Sequence, residues 1–254
     1  MARLPDDLRR ALTAAAHSPI LLVAADFDGT ISPIVAHPRD ARPIPSAIEA
    51  LAELAGLPDT TSALISGRAL TDLKALSGAP AVVKLVGSHG SEFEEGVFEG
   101  VDDAARARLA LLITALESVS SRYPGSTVET KPISAAFHVR NVSPANAQQA
   151  LDDALAAADV FDVHLTEGKA VREFALIRTD KGEALDLLRH RTNATAVVYF
   201  GDDVTDEWAF RRLAREGSDV GVKVGPGDTM AGFRVESPDD VAEALRFVIE
   251  SRGR

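Results

Sequence analysis

The sequence carries two acidic segments, each placed directly after a short apolar run. The first, DFDGT at 26–30, follows the run 20–25, and the second, GDDVTDE at 201–207, follows the run 196–200. Continuous apolar runs predict buried parallel strands, and ligands of such sheets bind beyond the carboxyl ends of the strands. Carboxylates that meet there at 4 Å repel by roughly 4 kcal/mol per pair. The repulsion indicates a cation between them, and oxygen ligands in a chain without cysteine favour a hard ion, most plausibly Mg²⁺.

Each acidic segment also has an ordinary structural explanation. Asp-x-Asp-Gly is a common turn in which glycine supplies a positive φ, and acidic residues suit the start of a helix. The second explanation accounts for one or two acidic residues, whereas 202–207 contains four. A functional interpretation of the two segments therefore depends on what accompanies them.

Two further polar segments lie where a third and a fourth strand end are expected. Ser66 and Arg68 follow the predicted strand 61–65, where a hydroxyl and free amides can bind an anion. Lys181 follows the predicted N-cap Asp180, and a cation in the first helical turn requires an anionic partner. Alone, the first is an ordinary turn and the second a solvated lysine. Together, the four segments supply the nucleophile, the acid/base and the cationic groups of phosphoryl transfer.

Composition excludes several classes of protein. The 254 residues are 46% hydrophobic and 26% charged, which argues against disorder. The net charge of −11 argues against binding to nucleic acid. The absence of cysteine rules out disulfides, thiol catalysis and thiolate zinc sites, and no apolar run approaches the length of a membrane helix. We expect a cytoplasmic monomer with a small-molecule substrate and neither a nucleic-acid nor a membrane partner.

The order of strands and helices predicts an α/β protein with a doubly wound parallel-sheet core and an inserted α+β domain. Strands are expected at 20–25, 61–65, 81–86, 196–200 and 219–223, and helices at 45–54, 181–191, 206–214 and 238–250. Between them the order changes to αββαββ, which suits a small antiparallel sheet covered by helices. Its expected elements are 103–122, 126–131, 134–140, 145–158, 162–166 and 170–177. The predicted core is thus 1–94 with 177–254, and the predicted insertion is 95–176.

In this order, the four polar segments resemble the four motifs of the haloacid dehalogenase (HAD) superfamily of phosphatases, and the insertion resembles that superfamily's C2-type cap. More closely, the chain resembles trehalose-6-phosphate phosphatases. The segments that carry this resemblance are DFDGTISPI at 26–34, GSHG at 87–90, EGKAVRE at 167–173 and GDDVTDE at 201–207. The resemblance implies a Rossmann-like HAD core and Mg²⁺-dependent hydrolysis of trehalose 6-phosphate, through an aspartyl-phosphate, in trehalose biosynthesis.

The resemblance also implies a role for each matching core residue. Asp26 would be the nucleophile, and Asp28 would protonate the leaving oxygen and then activate water. Ser66 and Lys181 would bind the phosphoryl oxygens. Asp203 and Asp206 would support the metal ligands, which include the backbone carbonyl of Asp28. The implied metal-binding set is Asp26, Asp28, Asp202, Asp203 and Asp206.

Substrate recognition is expected from the inserted domain, because sugar hydroxyls require carboxylate acceptors and cationic donors. Glu167, Lys169 and Glu173 meet that need and are expected to share one face of a strand pair. An exposed strand pair also carries Glu and Lys without any ligand. The predicted substrate-binding set is Arg68, His89, Lys131, Glu167, Lys169 and Glu173.

Three alternatives remain open at the level of the sequence. A related sugar phosphatase would act on sucrose phosphate or a glycosyl-glycerate phosphate, which the core motifs do not distinguish. A non-enzymatic phospho-acceptor switch also places acids and a lysine at strand ends, but it has no counterpart of Asp28 as acid/base and no such insertion. A catalytically inactive sugar-phosphate sensor would be expected to lack a motif residue, and none is missing.

Overall fold

The structure is a computed structural model that describes residues 4–94, 96–97, 103–131, 133–168, 170–176, 179–213 and 217–253. The chain forms two compact units. The larger, called the core unit below, comprises Met1–Gly96 and Thr179–Arg254, and the smaller, called the inserted unit, comprises Val97–Arg178.

The strands and helices of the described residues alternate through the core unit and change order in the inserted unit. The strands are β1 (Leu21–Ala25), β2 (Thr60–Ile65), β3 (Lys84–Gly87), β4 (Glu92–Phe93), β5 (Gly96–Val97), β6 (Thr127–Thr130), β7 (Ser134–His138), β8 (His164–Gly168), β9 (Val171–Ala175), β10 (Ala196–Gly201), β11 (Val220–Val224) and β12 (Phe233–Val235). The α-helices are α1 (Asp6–Ala16), α2 (Pro45–Ala55), α3 (Leu70–Ser77), α4 (Asp103–Ser120), α5 (Pro144–Ala158), α6 (Lys181–Thr192), α7 (Glu207–Leu213) and α8 (Pro238–Arg252).

The larger sheet has the order β12-β11-β10-β1-β2-β3-β4-β5 among the described residues. The pairs from β12 to β3 are parallel, and β4 is antiparallel to β3. All five residues of β1 are buried, because helices cover both faces of the sheet. Helix α8 packs against α1 and α2, whereas α6 packs against α7 and β1. The predicted doubly wound α/β core is therefore confirmed.

Local sequence explains where the helices of the core unit begin. Pro45 is the first residue of α2, where its missing N–H costs nothing. Ser237 and Asp240 form a capping box at the start of α8, and Asp180 accepts a hydrogen bond from the Glu183 N–H at the start of α6. The predicted starts at 45, 181 and 238 are confirmed, while the two- and three-residue strands β4, β5 and β12 were not predicted.

The inserted unit contains a four-stranded antiparallel sheet of order β6-β7-β9-β8. Helices α4 and α5 pack on each other, and buried side chains from the sheet join them in a hydrophobic core of the unit's own. Phe137 and Phe174 lie in this core. Since side chains alternate along a strand, their neighbours Ala136 and Glu173 point to the opposite, helix-free face.

The expectation that Glu167 and Glu173 share a face is wrong. Glu167 pairs directly with Arg172, and Thr166 pairs with Glu173. Directly paired residues project to the same side of a sheet, so Glu167 lies on the side of Arg172, and Glu173 lies on the other. Lys169, the third member of that set, lies outside the described residues.

None of the described helices is long and apolar enough to cross a membrane.

Candidate active site

The polar side chains predicted for the core meet at the carboxyl ends of β1, β2 and β10. Strand β1 lies between the other two, with Ala25 paired to Leu64 and to Phe200. The residues that follow these pairs are therefore neighbours, although the sequence separates them widely. They line a cavity of about 540 Å³. The predicted residues in its wall are Asp26, Asp28, Ser66, Arg68, His89, Lys181, Asp202 and Asp203.

Lys181 is buried between two carboxylates. Its Nζ lies 3.0 Å from Asp26 Oδ2 and 2.8 Å from Asp206 Oδ1, and its side chain is 2% exposed. Burial lowers the pKa of Lys181, but the charges of Asp26 and Asp206 outweigh burial and leave its pKa above the ordinary value. The anionic partner expected for a lysine at this helix start is thus a pair of aspartates.

Asp26 is held in an environment that disfavours its charge. Burial raises the pKa of Asp26 to about 8; Lys181 opposes this shift, and the charge of Asp206 adds to it. One ammonium group cannot compensate both carboxylates fully, so ionisation of Asp26 leaves excess negative charge next to the cavity. A bound cation would relieve it.

The ligand atoms of Asp26, Asp202 and Asp206 lie within 4.8 Å of one another, which suits a metal ion. Burial, together with the charge of Asp206, raises the pKa of Asp202 to about 6. A Cβ atom built on Gly29 would lie 2.0 Å from Asp202 Oδ2, so only glycine leaves room for this carboxylate. Hard oxygen donors in a site with excess negative charge fit a divalent cation.

Asp206 and Asp203 of the second segment are held by protein groups. Asp206 accepts hydrogen bonds from Lys181 Nζ and from Tyr199 OH at Oδ1, and from the Asp203 N–H at Oδ2. Asp203 is exposed and accepts from the Val204 N–H at 2.7 Å. These bonds fix Asp206 and Asp203 and leave the carboxylates of Asp26 and Asp202 to face the cavity.

Two loops pack closely beside Asp26 and fix Ser66. The His89 N–H donates to the Ser66 carbonyl at 2.9 Å, and the Ser88 N–H donates to the Arg68 carbonyl at 2.7 Å. His89 adopts a φ of 55° at the cavity wall, and its ring lies so close to Gly67 that a Cβ there would be 2.5 Å from it. Ser66 is buried and accepts a hydrogen bond from the Arg68 N–H at Oγ.

Arg68 binds the carboxylate of Asp28. Its Nε and Nη2 donate to the two carboxylate oxygens, each at 2.6 Å. The hydrogen bond with Asp28 raises the pKa of Arg68 further above its ordinary value. The sequence predicted contact between Arg68 and the phosphate or the substrate, and the pairing with Asp28 was not foreseen.

The predicted substrate-binding residues of the inserted unit form two separate networks. Glu173 accepts hydrogen bonds from Lys131 Nζ at 2.8 Å and from Ser134 Oγ at 2.7 Å on the helix-free face. Glu167 instead accepts from Arg172 Nε at 3.0 Å. The structure therefore brings Lys131 and Glu173 together and places Glu167 apart from them.

Three residues of these arrangements were missed by reasoning from sequence. Tyr199 is fully buried and donates to Asp206 at 2.6 Å, Lys223 is buried and donates to the carbonyl of Asp202, and Ser134 contacts Glu173. Tyr199 and Lys223 interrupt the apolar strands AVVYF and VGVKV. A polar group inside a fully buried strand needs a partner, and that signal could have identified both.

The comparisons with known proteins agree on one family. A family model described as trehalose-phosphatase matches residues 24–239. The chain is 34% identical over 261 residues to a trehalose-phosphate phosphatase of Mycobacterium tuberculosis, covering 96% of this chain and 65% of that protein. It is 35% identical over 266 residues to the Mycobacterium avium protein of the same name, covering 96% and 66%.

Solved structures with low sequence identity share the fold. An Aspergillus fumigatus trehalose-6-phosphate phosphatase superposes with a TM-score of 0.68 at 24% identity, covering 99% of this chain and 100% of that one. The C-terminal domain of the Candida albicans trehalose-6-phosphate phosphatase gives 0.66 at 23% identity, covering 98% and 99%. The chain spans just under two thirds of the length of the mycobacterial relatives. With 216 of its 254 residues matched by the family model, since 239 − 24 + 1 = 216, the chain belongs to the trehalose-phosphatase family.

Proposed function

We propose that the chain hydrolyses trehalose 6-phosphate to trehalose and phosphate, with Mg²⁺ as its metal ion. The observation that carries the proposal is Lys181, buried between Asp26 and Asp206, with a carboxylate oxygen of Asp202 inside the same 4.8 Å cluster. Phosphoryl transfer needs a nucleophile beside cationic groups that can stabilise the equatorial oxygens. The names of the mycobacterial relatives support trehalose phosphate as the substrate.

The chemistry proceeds in two steps on the side chains of the chain. In the first, Asp26 attacks the phosphorus atom, the bond from phosphorus to the sugar oxygen breaks, and Asp28 gives that oxygen a proton. In the second, water attacks the aspartyl-phosphate, the bond to Asp26 breaks, and Asp28 takes a proton from the water. Ser66 and Lys181 bind phosphoryl oxygens through both steps.

The metal ion would be held by Asp26, Asp202 and the backbone carbonyl of Asp28, with Asp203 and Asp206 supporting them. Mg²⁺ supplies positive charge that keeps Asp26 ionised and stabilises the negative charge of the phosphoryl group. Tyr199 and Lys181 keep Asp206 fixed, which in turn fixes Asp203 through its N–H.

The inserted unit is the proposed cap, and its helix-free sheet face is the proposed site of sugar recognition. Glu173 and Lys131 offer an acceptor and a donor for sugar hydroxyls, and Ser134 can do either. Lys169 remains a candidate from the sequence, as does His89 in the core, whereas Glu167 lies on the opposite face and is not part of this proposed site. The monomeric state and the cytoplasmic location also stay predictions.

The test measures phosphate release by the purified chain from trehalose 6-phosphate, sucrose 6-phosphate and a glucosyl-glycerate phosphate. We expect Mg²⁺-dependent release from trehalose 6-phosphate at a kcat/KM at least about tenfold above the other two. A preference for another sugar phosphate would replace the substrate but keep the chemistry. Stable phosphorylation of Asp26 without turnover would support a phospho-acceptor switch and contradict the proposal.

A further inference from the structure

The guanidinium group of Arg68 is held on Asp28 with little freedom to bind anything else. Nε and Nη2 each donate at 2.6 Å to a different carboxylate oxygen, a bidentate arrangement that fixes both position and plane of the carboxylate. The Arg68 side chain is 14% exposed, whereas that of Asp28 is 33% exposed. The arginine is thus the more enclosed partner, and the carboxylate is the one that faces the cavity.

Three further contacts fix Arg68 independently of Asp28. Its guanidinium carbon lies 5.5 Å from the centroid of the Phe27 ring, which is fully buried. Its backbone N–H donates to Ser66 Oγ, and its carbonyl accepts from the Ser88 N–H. Both ends of the residue are anchored before any substrate arrives.

The neighbouring loops pack closely around Arg68. A Cβ atom on Gly87 would lie 2.9 Å from the Arg68 carbonyl, and one on Gly67 would strike the His89 ring. Gly67 thus allows close packing against the His89 ring, and Gly87 allows close packing against the backbone of Arg68. Arg68 is therefore fixed at its backbone, at its contact with the Phe27 ring and at its guanidinium group. This makes it a rigid support for the Asp28 carboxylate.

We propose that Arg68 is a positioning residue that fixes the carboxylate of Asp28 for proton transfer, and that it does not bind the substrate. This inference rests on the proposed function only in needing Asp28 as the proton-transfer group. To contact a phosphoryl oxygen through the same two nitrogens, Arg68 would have to release Asp28.

The experiment is a double-mutant cycle of Arg68→Gln and Asp28→Asn, with trehalose 6-phosphate and p-nitrophenyl phosphate as substrates. Steady-state phosphate release from p-nitrophenyl phosphate reports the second step, in which Asp28 takes a proton from water, because nitrophenolate leaves in the first step without a proton donor. For Arg68→Gln alone, we expect kcat on trehalose 6-phosphate to fall by about 10–100-fold, with KM unchanged within about twofold. In the Asp28→Asn background, Arg68→Gln should lower kcat by less than about threefold.

Two controls separate positioning from charge and from folding. Arg68→Lys keeps the charge but lacks the planar fork, so we expect it to stay at least about fivefold impaired in kcat. Arg246→Gln removes an arginine from exposed ion pairs with Glu49 and Glu53 and should leave both substrates unaffected. Thermal unfolding checks each variant, and Arg68→Lys decides the question if Arg68→Gln does not fold.

The inference is overturned if Arg68→Gln mainly raises KM, if its cost is undiminished in the Asp28→Asn background, or if Arg68→Lys restores full activity. These results are distinguishable from failure of the proposed function. A wild-type chain that cleaves p-nitrophenyl phosphate but not trehalose 6-phosphate contradicts the substrate alone. The cycle measured on steady-state phosphate release from p-nitrophenyl phosphate then still decides the role of Arg68, because hydrolysis of the aspartyl-phosphate needs Asp28 as a base.

Discussion

The core unit and the inserted unit hold their charged side chains in opposite ways. Lys181, Asp26 and Asp206 are 2%, 7% and 0% exposed, and each contacts at least one other member of the cluster. On the inserted sheet, the side chains of Glu173 and Glu167 are 31% and 62% exposed. Buried, mutually fixed charges suit a reaction that needs little reorganisation, whereas exposed ones can exchange a protein partner for a ligand hydroxyl. Substitutions in the core unit should therefore slow hydrolysis of every substrate. Substitutions on the inserted sheet should slow hydrolysis of the sugar phosphate only.

The largest expected effect comes from removing the proposed nucleophile, Asp26. Asp26→Asn preserves shape but cannot form the aspartyl-phosphate, so kcat should fall by at least about 10³-fold on both trehalose 6-phosphate and p-nitrophenyl phosphate. Steady-state phosphate release measures it. Asp186→Asn, in an exposed ion pair with Arg212, is the matched control and should retain full activity. Residual activity above a tenth of wild type would contradict the role of Asp26.

Removing the buried cation should cost both activity and stability. Lys181→Met leaves Asp26 and Asp206 without their ammonium partner, and breaking a buried ion pair from one side costs about 3–5 kcal/mol of unfolding free energy. Urea unfolding in the absence of metal measures this loss. Lys74→Met, at an exposed pair with Glu94, should leave the urea midpoint unchanged. Equal midpoints for the two variants would show that the buried cluster does not depend on Lys181.

The sheet of the inserted unit should separate its two glutamates. Glu173→Gln should lower kcat/KM for trehalose 6-phosphate by about 10–100-fold and leave p-nitrophenyl phosphate within about twofold, because remote binding contributes to the transition state. Glu167→Gln, on the opposite face, should cost less than about threefold on either substrate. Comparing kcat/KM for the four combinations tests this. Equal losses for the two variants would contradict the division by faces.

The last expected effect is a dependence of stability on pH and metal. Asp26 has a pKa of about 8 in the folded chain against an ordinary 3.8. Between these values the folded state retains a proton that the unfolded chain has lost, so stability of the metal-free protein falls as pH rises, by up to about 1.4 kcal/mol per pH unit. Mg²⁺ replaces that proton without competition only above pH 8.

The measurement is the rise in melting temperature on adding MgCl₂, which should be larger at pH 8.5 than at pH 6. Each kcal/mol of added unfolding free energy raises the melting temperature by roughly 2–4 °C. NaCl at equal ionic strength controls for screening. A rise that is independent of pH would show that the ion does not bind at Asp26.

Reasoning from sequence located the core more securely than the details of contact. Uninterrupted apolar runs predicted the central strands, and parallel strands necessarily bring their carboxyl ends together, so Asp26, Ser66 and Asp202 could be predicted as neighbours. The pairing of Arg68 with Asp28 depends instead on the direction of two side chains, which spacing does not determine. Tyr199 was missed for the same reason, since its hydroxyl contact depends on which face of β10 it occupies.

The faces of Glu167 and Glu173 depend on a single count of residues. Gly168 pairs with Val171, and this register sets which side chains of β8 and β9 share a face. A shift of this register by one residue in one of the two strands would have placed Glu167 and Glu173 on the same face. Sequence patterns locate a hairpin to within a few residues, which is too coarse to settle a property that changes at every position.

Strand β1 pairs with β2 on one side and with β10 on the other, and β10 is synthesised about 175 residues after β1 begins, since Leu21 pairs with Ala196. During translation one edge of β1 stays without its partner strand until these residues have been added. Such long-range pairing slows folding and leaves an unpaired strand edge that is prone to aggregation until β10 has formed. A nascent chain that has not reached Asp202 cannot place that carboxylate beside Asp26, so the proposed metal site forms only after β10 has been synthesised.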